Sequence, residues 1–279
     1  MTGPEGWALR NGLLLKSLRP LGITQIKPVG FPNGPDASIA IASGAIDVAT
    51  MGDFPGVIAR GSGLQTRLIA ITTGGGRSKT GNSTGILVLP GGPRRVEDLV
   101  GKKVGVPRGS NMERFLLGVL DLKKIYGKVQ IIHIPMADEE AAARVHAVDA
   151  VVGGYSEVMK QHGFISIASA DQYPQLASTG VTVASQKFLD EHPTFPRVWV
   201  RSRVLWYKDL VAHQDQYFAF AAANAKISVA LYKATYPLAL FVADPFTPEA
   251  LKRLNGTKEF AKRINVLRND FDINQWRAD

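Results

Sequence analysis

The chain has no cysteine among its 279 residues. That absence excludes disulfides, thiolate nucleophiles, a lipid-bearing N-terminal cysteine and cysteine-ligated zinc. Long apolar runs are missing too. Nothing approaches the roughly 20 residues of a membrane-spanning helix, and the most apolar stretch, residues 236–243, is short and holds Pro237. Residues 1–7 show neither the basic nor the apolar segment of a secretory leader. The expectation is a cytoplasmic chain, or an exported one whose leader lies outside this sequence.

Reactive constellations are equally scarce. The histidines, His133, His146, His162, His192 and His213, show no metal-ligating spacing such as His-x-x-x-His, and no Gly-x-Ser-x-Gly elbow occurs. The acidic pair Glu139-Glu140 falls in a helix-like segment, where adjacent side chains diverge, so it assembles no general acid and base. The glycine-rich residues 74–80 lack a glycine directly before the lysine and lead into a strand rather than a helix. They read as a flexible connection, not a phosphate loop.

What is present is ordinary for a globular domain: 45% apolar and 20% charged residues. The length allows one large or two medium domains. Lys plus Arg exceed Asp plus Glu by 33 to 24, a formal charge of +9. Such an excess suits an anionic ligand or an acidic surface, although a merely basic surface reads the same. Nucleic acid is disfavoured, because the basic residues form scattered pairs, Arg94-Arg95 and Lys102-Lys103, rather than a stripe.

Strand-like and helix-like segments alternate through the first half, the pattern of a parallel α/β sheet. The first series predicts a helix from Gly3 onward, a strand at 23–30, a helix at 34–42, strands at 46–51 and 67–72 around a helix at 54–60, and a strand at 85–90. The second predicts strands at 103–106, 129–134 and 148–152, with helices at 111–126 and 138–146. The two series overlay. Asp36 and Asp47 are followed by Gly52, and Asp138 and Asp149, at the same spacing, by Gly154. A repeated lobe is the simplest reading. The overlay also exposes a gap: the second lobe opens on a strand at 103–106, whereas the first opens directly on its helix, with no strand before it.

Four segments resemble the solute-binding proteins of ABC importers, in the branch that handles nitrate, taurine and other sulfonates. They are Ala42-Ser-Gly-Ala-Ile-Asp-Val-Ala-Thr-Met-Gly-Asp-Phe-Pro55, Val96-Glu-Asp-Leu-Val-Gly-Lys-Lys-Val-Gly-Val-Pro-Arg-Gly-Ser110, Val148-Asp-Ala150, and Ser178-Thr-Gly-Val-Thr-Val-Ala-Ser-Gln-Lys-Phe-Leu-Asp-Glu-His-Pro193. The resemblance spans nearly the whole chain. It implies an α/β type II periplasmic-binding-protein fold of two lobes with mainly parallel sheets, joined by two crossing strands near 85–90 and 179–184, with a ligand trapped between the lobes and a helical C-terminal tail. Residues 1–88 and 180–279 would form the first lobe, with its first strand missing, and 89–179 the second. One departure stands out: a proline-bearing segment usual after Ala150 is replaced by Gly153-Gly-Tyr-Ser156.

In open α/β sheets, ligands collect at the carboxyl ends of strands. That rule selects Asp53, Phe54, Thr73, Ser110, Asn111 and Tyr155. Gly3 at the head of the first helix, and Thr84 and Thr179 beside the crossings, complete the candidate ligand-binding set. The turn at Gly109-Ser110-Asn111 is the sharpest candidate, since a helix N-terminus with free N–H groups suits an anion. Ser110 or Asn111 serves equally as an N-cap. Asp53 reads better as a cap than as a ligand group, Tyr155 as an aromatic wall or as packing, and Trp7 as core. The expected role is binding and delivery: a periplasmic, monomeric protein that takes a small anionic solute to ABC permease subunits, with no cofactor, metal or catalysis. An enzyme on the same fold, pyrimidine-synthase-like or desulfinase-like, is the alternative; the lack of cysteine and of a His/Glu cluster argues against it.

Overall fold

The computed structural model describes residues 2–73, 84–154 and 156–278. The chain divides into two compact units: Met1–Arg77 with Ser178–Tyr232 and Leu238–Asp279, and Ser78–Ala177 with Lys233–Pro237.

Along the chain, the first unit begins with helices α1 (Gly3–Arg10), α2 (Leu13–Leu18) and α3 (Gly34–Ala42), strand β1 (Val48–Gly52), α4 (Asp53–Gly61) and β2 (Thr66–Thr73). The second unit follows with β3 (Thr84–Val88), β4 (Lys103–Val106), α5 (Asn111–Leu122), β5 (Gln130–His133), α6 (Glu139–Arg144), β6 (Ala150–Gly154), α7 (Ser156–Gln161) and β7 (Ile165–Ser169). The chain then returns through β8 (Gly180–Ser185) to α8 (Gln186–Glu191), α9 (Phe195–Ala212), α10 (Gln214–Ala225), α11 (Val229–Thr235), α12 (Pro248–Arg263) and α13 (Ile273–Trp276).

The second unit's sheet has the order β5-β4-β6-β3-β7. Strand β4 runs parallel to β5 and β6, while β3 is antiparallel to β6 and β7. One face of the sheet packs Ile86, Val104, Val106 and Val152 against Phe115, Leu116 and Val119 of α5. The opposite face packs Leu87 and Val151 against Ala143 of α6 and Phe164. Alternate residues of β3 and β6 thus feed two cores, which is why these strands read as continuous apolar runs.

Among the described residues, the first unit's sheet has three strands, β1-β8-β2, with β8 antiparallel to both neighbours. Its core gathers Leu14 and Leu18 of α2, Ile69 and Ala70 of β2, and Phe195, Trp199 and Trp206 of α9. Trp199 and Trp206 meet edge to face at 5.3 Å between centroids, a favoured aromatic geometry. Trp7 is buried in this unit, and its indole N–H donates to Asp209 Oδ2 at 2.7 Å.

The internal overlay holds at the backbone level. Gly44 and His146, matched by the spacing of the two aspartate pairs, both leave their helix with positive φ, +74° and +55°. Strand β1 after α3 corresponds to β6 after α6, and each carries an antiparallel neighbour, β8 and β3. On its other side β6 has β4 and then β5, whereas β1 has no further strand among the described residues. This difference explains one correction. The strand expected at 23–30 is irregular chain, with Ile23 and Ile26 half-buried against the core and Val29 exposed. A strand needs a partner for its N–H and C=O groups, and no described strand lies alongside these residues to supply one.

Strand β3 pairs wholly within the second unit's sheet and β8 wholly within the first unit's. The unit boundaries fall before each strand, at 77/78 and 177/178, and residues 233–237 go with the second unit.

Candidate functional site

Each unit gathers part of the expected set at one end of its sheet. In the first, the carboxyl ends of β1 and β2 meet the amino end of β8. The Thr179 hydroxyl donates to the Thr73 carbonyl, and the Gly180 N–H donates to Thr73 Oγ1 at 2.7 Å. The Asp53 N–H donates to the Thr179 carbonyl at 3.0 Å. A side chain at 180 would collide with Thr72, whose Oγ1 lies 2.4 Å from the place of a Cβ. Glycine there is what lets β2 and β8 close so tightly.

Asp53 is fully buried. Its Oδ1 accepts from the Phe54 N–H at 2.9 Å and its Oδ2 from the Thr257 hydroxyl at 2.6 Å. The carboxylate therefore ties α4 to α12. Phe54 is buried beside it. Gly3 donates its N–H to the Tyr217 hydroxyl at 3.0 Å and adopts a φ of +70°. A Cβ at Gly3 would stand 3.0 Å from the Phe241 ring, and Phe241 bridges back to Thr73. So Gly3, Asp53, Phe54, Thr73 and Thr179 are brought to one region of the first unit.

In the second unit, Ser110 caps α5. Its oxygen accepts from the Glu113 N–H at 3.2 Å, and its hydroxyl donates to the Pro107 carbonyl at 2.6 Å. The Glu113 carboxylate reaches back over the turn: Oε2 accepts from the Gly109 N–H at 2.5 Å, and Oε1 pairs with Arg108 Nε at 3.0 Å. The Arg108 N–H donates to His133 Nδ1 at 3.2 Å. This turn thus holds a carboxylate of its own, which takes up the Gly109 N–H and the Arg108 guanidinium. Asn111 opens the helix, and Thr84 starts β3 opposite Gly154. Tyr155 and residues 74–80 lie outside the described residues.

Sequence reasoning passed over Glu139. It is 3% exposed, and its Oε1 has no hydrogen-bond partner. Burial alone raises its carboxyl to a pKa of about 8, because desolvation penalises the charged form. Its neighbour Glu140 is paired with Arg144 at 2.7 Å and His162 at 2.8 Å. The signal available beforehand was the glycine pair at 153 and 154. Glu139 Oε2 lies 2.8 Å from the place a Gly153 Cβ would take. Among the described residues, no group of three or more His, Asp or Glu side chains is placed to hold a metal ion, and no helix is long and apolar enough to cross a membrane.

The architecture has solved counterparts over nearly its full length. The alkanesulfonate-binding protein of Xanthomonas axonopodis pv. citri, bound to MOPS, superposes with a TM-score of 0.79 at 20% identity, covering 98% of this chain and 93% of that one. The periplasmic aliphatic sulphonate-binding protein of Escherichia coli gives 0.75 at 22% identity, covering 99% and 93%. The chain has the periplasmic-binding-protein fold. That fold also carries enzymes: a desulfurization enzyme, as a cysteine-to-serine variant with biphenyl-2-sulfinic acid, gives 0.68 at 18% identity, covering 95% and 91%. In sequence, the chain is 30% identical over 129 residues to a protein of Escherichia coli K12 provisionally named as binding aliphatic sulfonates. That match takes in 46% of this chain and 39% of the relative. No protein-family model matches. Within the periplasmic-binding-protein fold, the strand-end clusters described above occupy the end of each sheet where α/β proteins hold ligands.

Proposed function

We propose that the chain is an extracytoplasmic solute-binding protein of an ABC importer, taking a small sulfonate-type anion and delivering it, as a monomer, to a membrane permease. The observation that carries this reading is the 30% identical segment shared with a protein named for aliphatic sulfonates, set in a fold common to two sulfonate-binding structures. The basic balance of the chain favours an anion. The turn before α5 supplies the chemistry: backbone N–H groups at the start of a 12-residue helix, with Arg108 beside them. Ligand binding then shifts the protein toward the state that the ligand prefers.

A desulfinase-like enzyme is the second reading, favoured by the fold shared with the desulfurization enzyme. That structure was obtained by removing a cysteine, and this chain has none. Binding without turnover is the better account. Isothermal titration calorimetry with propane-1-sulfonate, taurine and nitrate tests it. One-to-one binding of a sulfonate, recovered chemically unchanged, is the expected result; failure to bind any sulfonate defeats the proposal.

A further inference from the structure

Five lysines that the sequence scatters are gathered by the fold at one end of the second unit. Strand β4 starts at Lys103 beside the start of β5 at Gln130, and β6 runs parallel to β4 on its other side. The end where these strands begin is opposite the one that carries Ser110 and Thr84. Residues 99–103 and 122–130 lie here, and they hold Lys102, Lys103, Lys123, Lys124 and Lys128 with no acidic residue among them. Backbone hydrogen bonds join the two segments. The Gly101 N–H donates to the Lys128 carbonyl at 2.8 Å, and the Gln130 N–H to the Lys102 carbonyl at 2.9 Å. Lys102 stands 3.8 Å from Asp149 and Lys123 2.8 Å from Glu97. Lys103, Lys124 and Lys128 are exposed and form no ion pair among the described residues. The C-terminal dipole of α5 accounts for Lys123 and Lys124, but not for Lys103 in a strand or Lys128 in a loop. The same two segments expose large apolar side chains: Val100 is 49% exposed, Leu122 47% and Tyr126 42%.

We propose that this end of the second unit is a docking surface for an anionic phospholipid membrane. Apolar tips interleaved with cations, and free of acids, complement a bilayer whose phosphates lie just above its hydrocarbon. Tyrosine fits that boundary, with its ring in the apolar layer and its hydroxyl in water. Lysine stems lie along apolar surface while their ammonium groups reach the headgroups. A protein partner fits less well, because lysine is depleted in protein–protein interfaces and arginine enriched. Nucleic acid would leave the apolar tips unused. The docking works whatever solute the chain takes, and it keeps the Ser110 end of the sheet away from the lipid.

Co-sedimentation with vesicles tests the assignment. The wild-type protein should partition at least about tenfold more strongly onto vesicles containing phosphatidylglycerol than onto phosphatidylcholine alone, and high salt should release it. Lys124→Glu with Lys128→Glu should weaken this binding about tenfold or more. Leu122→Ser with Tyr126→Ser should weaken it about tenfold as well, through lost apolar burial. All four positions are exposed, and unchanged thermal midpoints verify that each variant is folded. Charge reversal of Lys187 and Lys208, exposed on the first unit, controls for the net charge of +9. It should change binding less than about twofold, since screening confines each charge to its own neighbourhood. An equal loss in that control, equal binding to both vesicles, or no binding at all overturns the assignment. The four tryptophans, Trp7, Trp199, Trp206 and Trp276, are all buried, so Tyr126→Trp adds an exposed reporter. Quenching of its emission by brominated phosphatidylglycerol is expected; unquenched emission from bound protein would put a different face on the membrane. If vesicles are ignored and Leu122→Ser with Tyr126→Ser instead splits a dimer, the surface joins two copies and the lipid assignment is wrong.

Discussion

The Thr257 hydroxyl donates a 2.6 Å hydrogen bond to Asp53 Oδ2 across 204 positions of sequence. Both side chains are fully buried. The bond fastens the start of α4, directly after β1, to the middle of α12, and so holds the end of the first unit's sheet from outside. Thr257→Val removes the donor and leaves a buried carboxylate short of a partner. A loss of about 1.5–3 kcal/mol is expected, the range for hydrogen bonds to charged groups, and Thr257→Ser should recover most of it. Chemical denaturation of the three proteins measures this; equal midpoints would show that the bond contributes nothing.

Arg203 and Glu5 form a fully buried ion pair in the first unit, Nε to Oε1 at 2.6 Å, with side chains 0% and 2% exposed. The guanidinium also donates to the Thr72 carbonyl at 2.9 Å and to the carbonyls of Val242 and Ala243. One residue of α9 thereby collects α1, β2 and the chain before α12. Glu5→Ala strands a buried cation and should cost about 3–5 kcal/mol. Glu5→Ala with Arg203→Met should cost less than Glu5→Ala alone. A double variant as unstable as the sum of the single ones would argue against the pairing.

The raised carboxyl of Glu139 makes stability depend on pH. Its ordinary value is 4.5 and its folded value about 8. Below 4.5 both states hold the proton and the group contributes nothing. Between 4.5 and 8 the folded protein keeps a proton that the unfolded chain has released, so stability falls as pH rises, by up to about 1.4 kcal/mol per unit. Above 8 the penalty is level. Glu139→Gln removes this slope, so the variant should gain on the wild type steadily from pH 5 to 8. Urea midpoints across that range check it, and parallel curves for the two proteins would rule it out.

Ser110 separates capping from binding. Its hydroxyl proton goes to Pro107 and its oxygen to the Glu113 N–H. Ser110→Ala should therefore lower stability by about 1 kcal/mol through the lost cap, with sulfonate affinity changed less than about twofold once folding is corrected for. Arg108→Ala, which takes a cation from the same turn, should weaken sulfonate binding more than Ser110→Ala does. Calorimetry on both variants decides, and the reverse order would place the ligand on the hydroxyl.

Much of the fold was legible because local signals agreed with tertiary structure. Helix α3 spans the expected residues 34–42, its N-cap Asn33 accepting from the Asp36 N–H and Pro35 standing in its first turn. Strand β4 also has the expected bounds. Helix α5 stops four residues early, at Leu122, where the chain turns through Lys124 with a φ of +56°. That reversal is a backbone choice which the lysine pair at 123 and 124 does not announce. The stretch at 23–30 has strand composition without a strand neighbour, and composition carries no information about who stands alongside. Glu139 was missed for a related reason. Adjacent acids on a helix diverge, and only the packed structure shows which one points inward.

Strand β1 bonds to β8 through the backbones of Ala49 and Met51 and their neighbours Asp47 and Asp53. Among the described residues no strand pairs with the other side of β1, so the outward N–H and C=O groups of Val48 and Thr50 meet no strand partner, while the Gly52 carbonyl starts α4. Such an edge is a docking rail for any extended chain of matching length. Concentrated samples should cluster rim to rim through residues 48–52, and a lysine at the exposed position 50 should keep them apart.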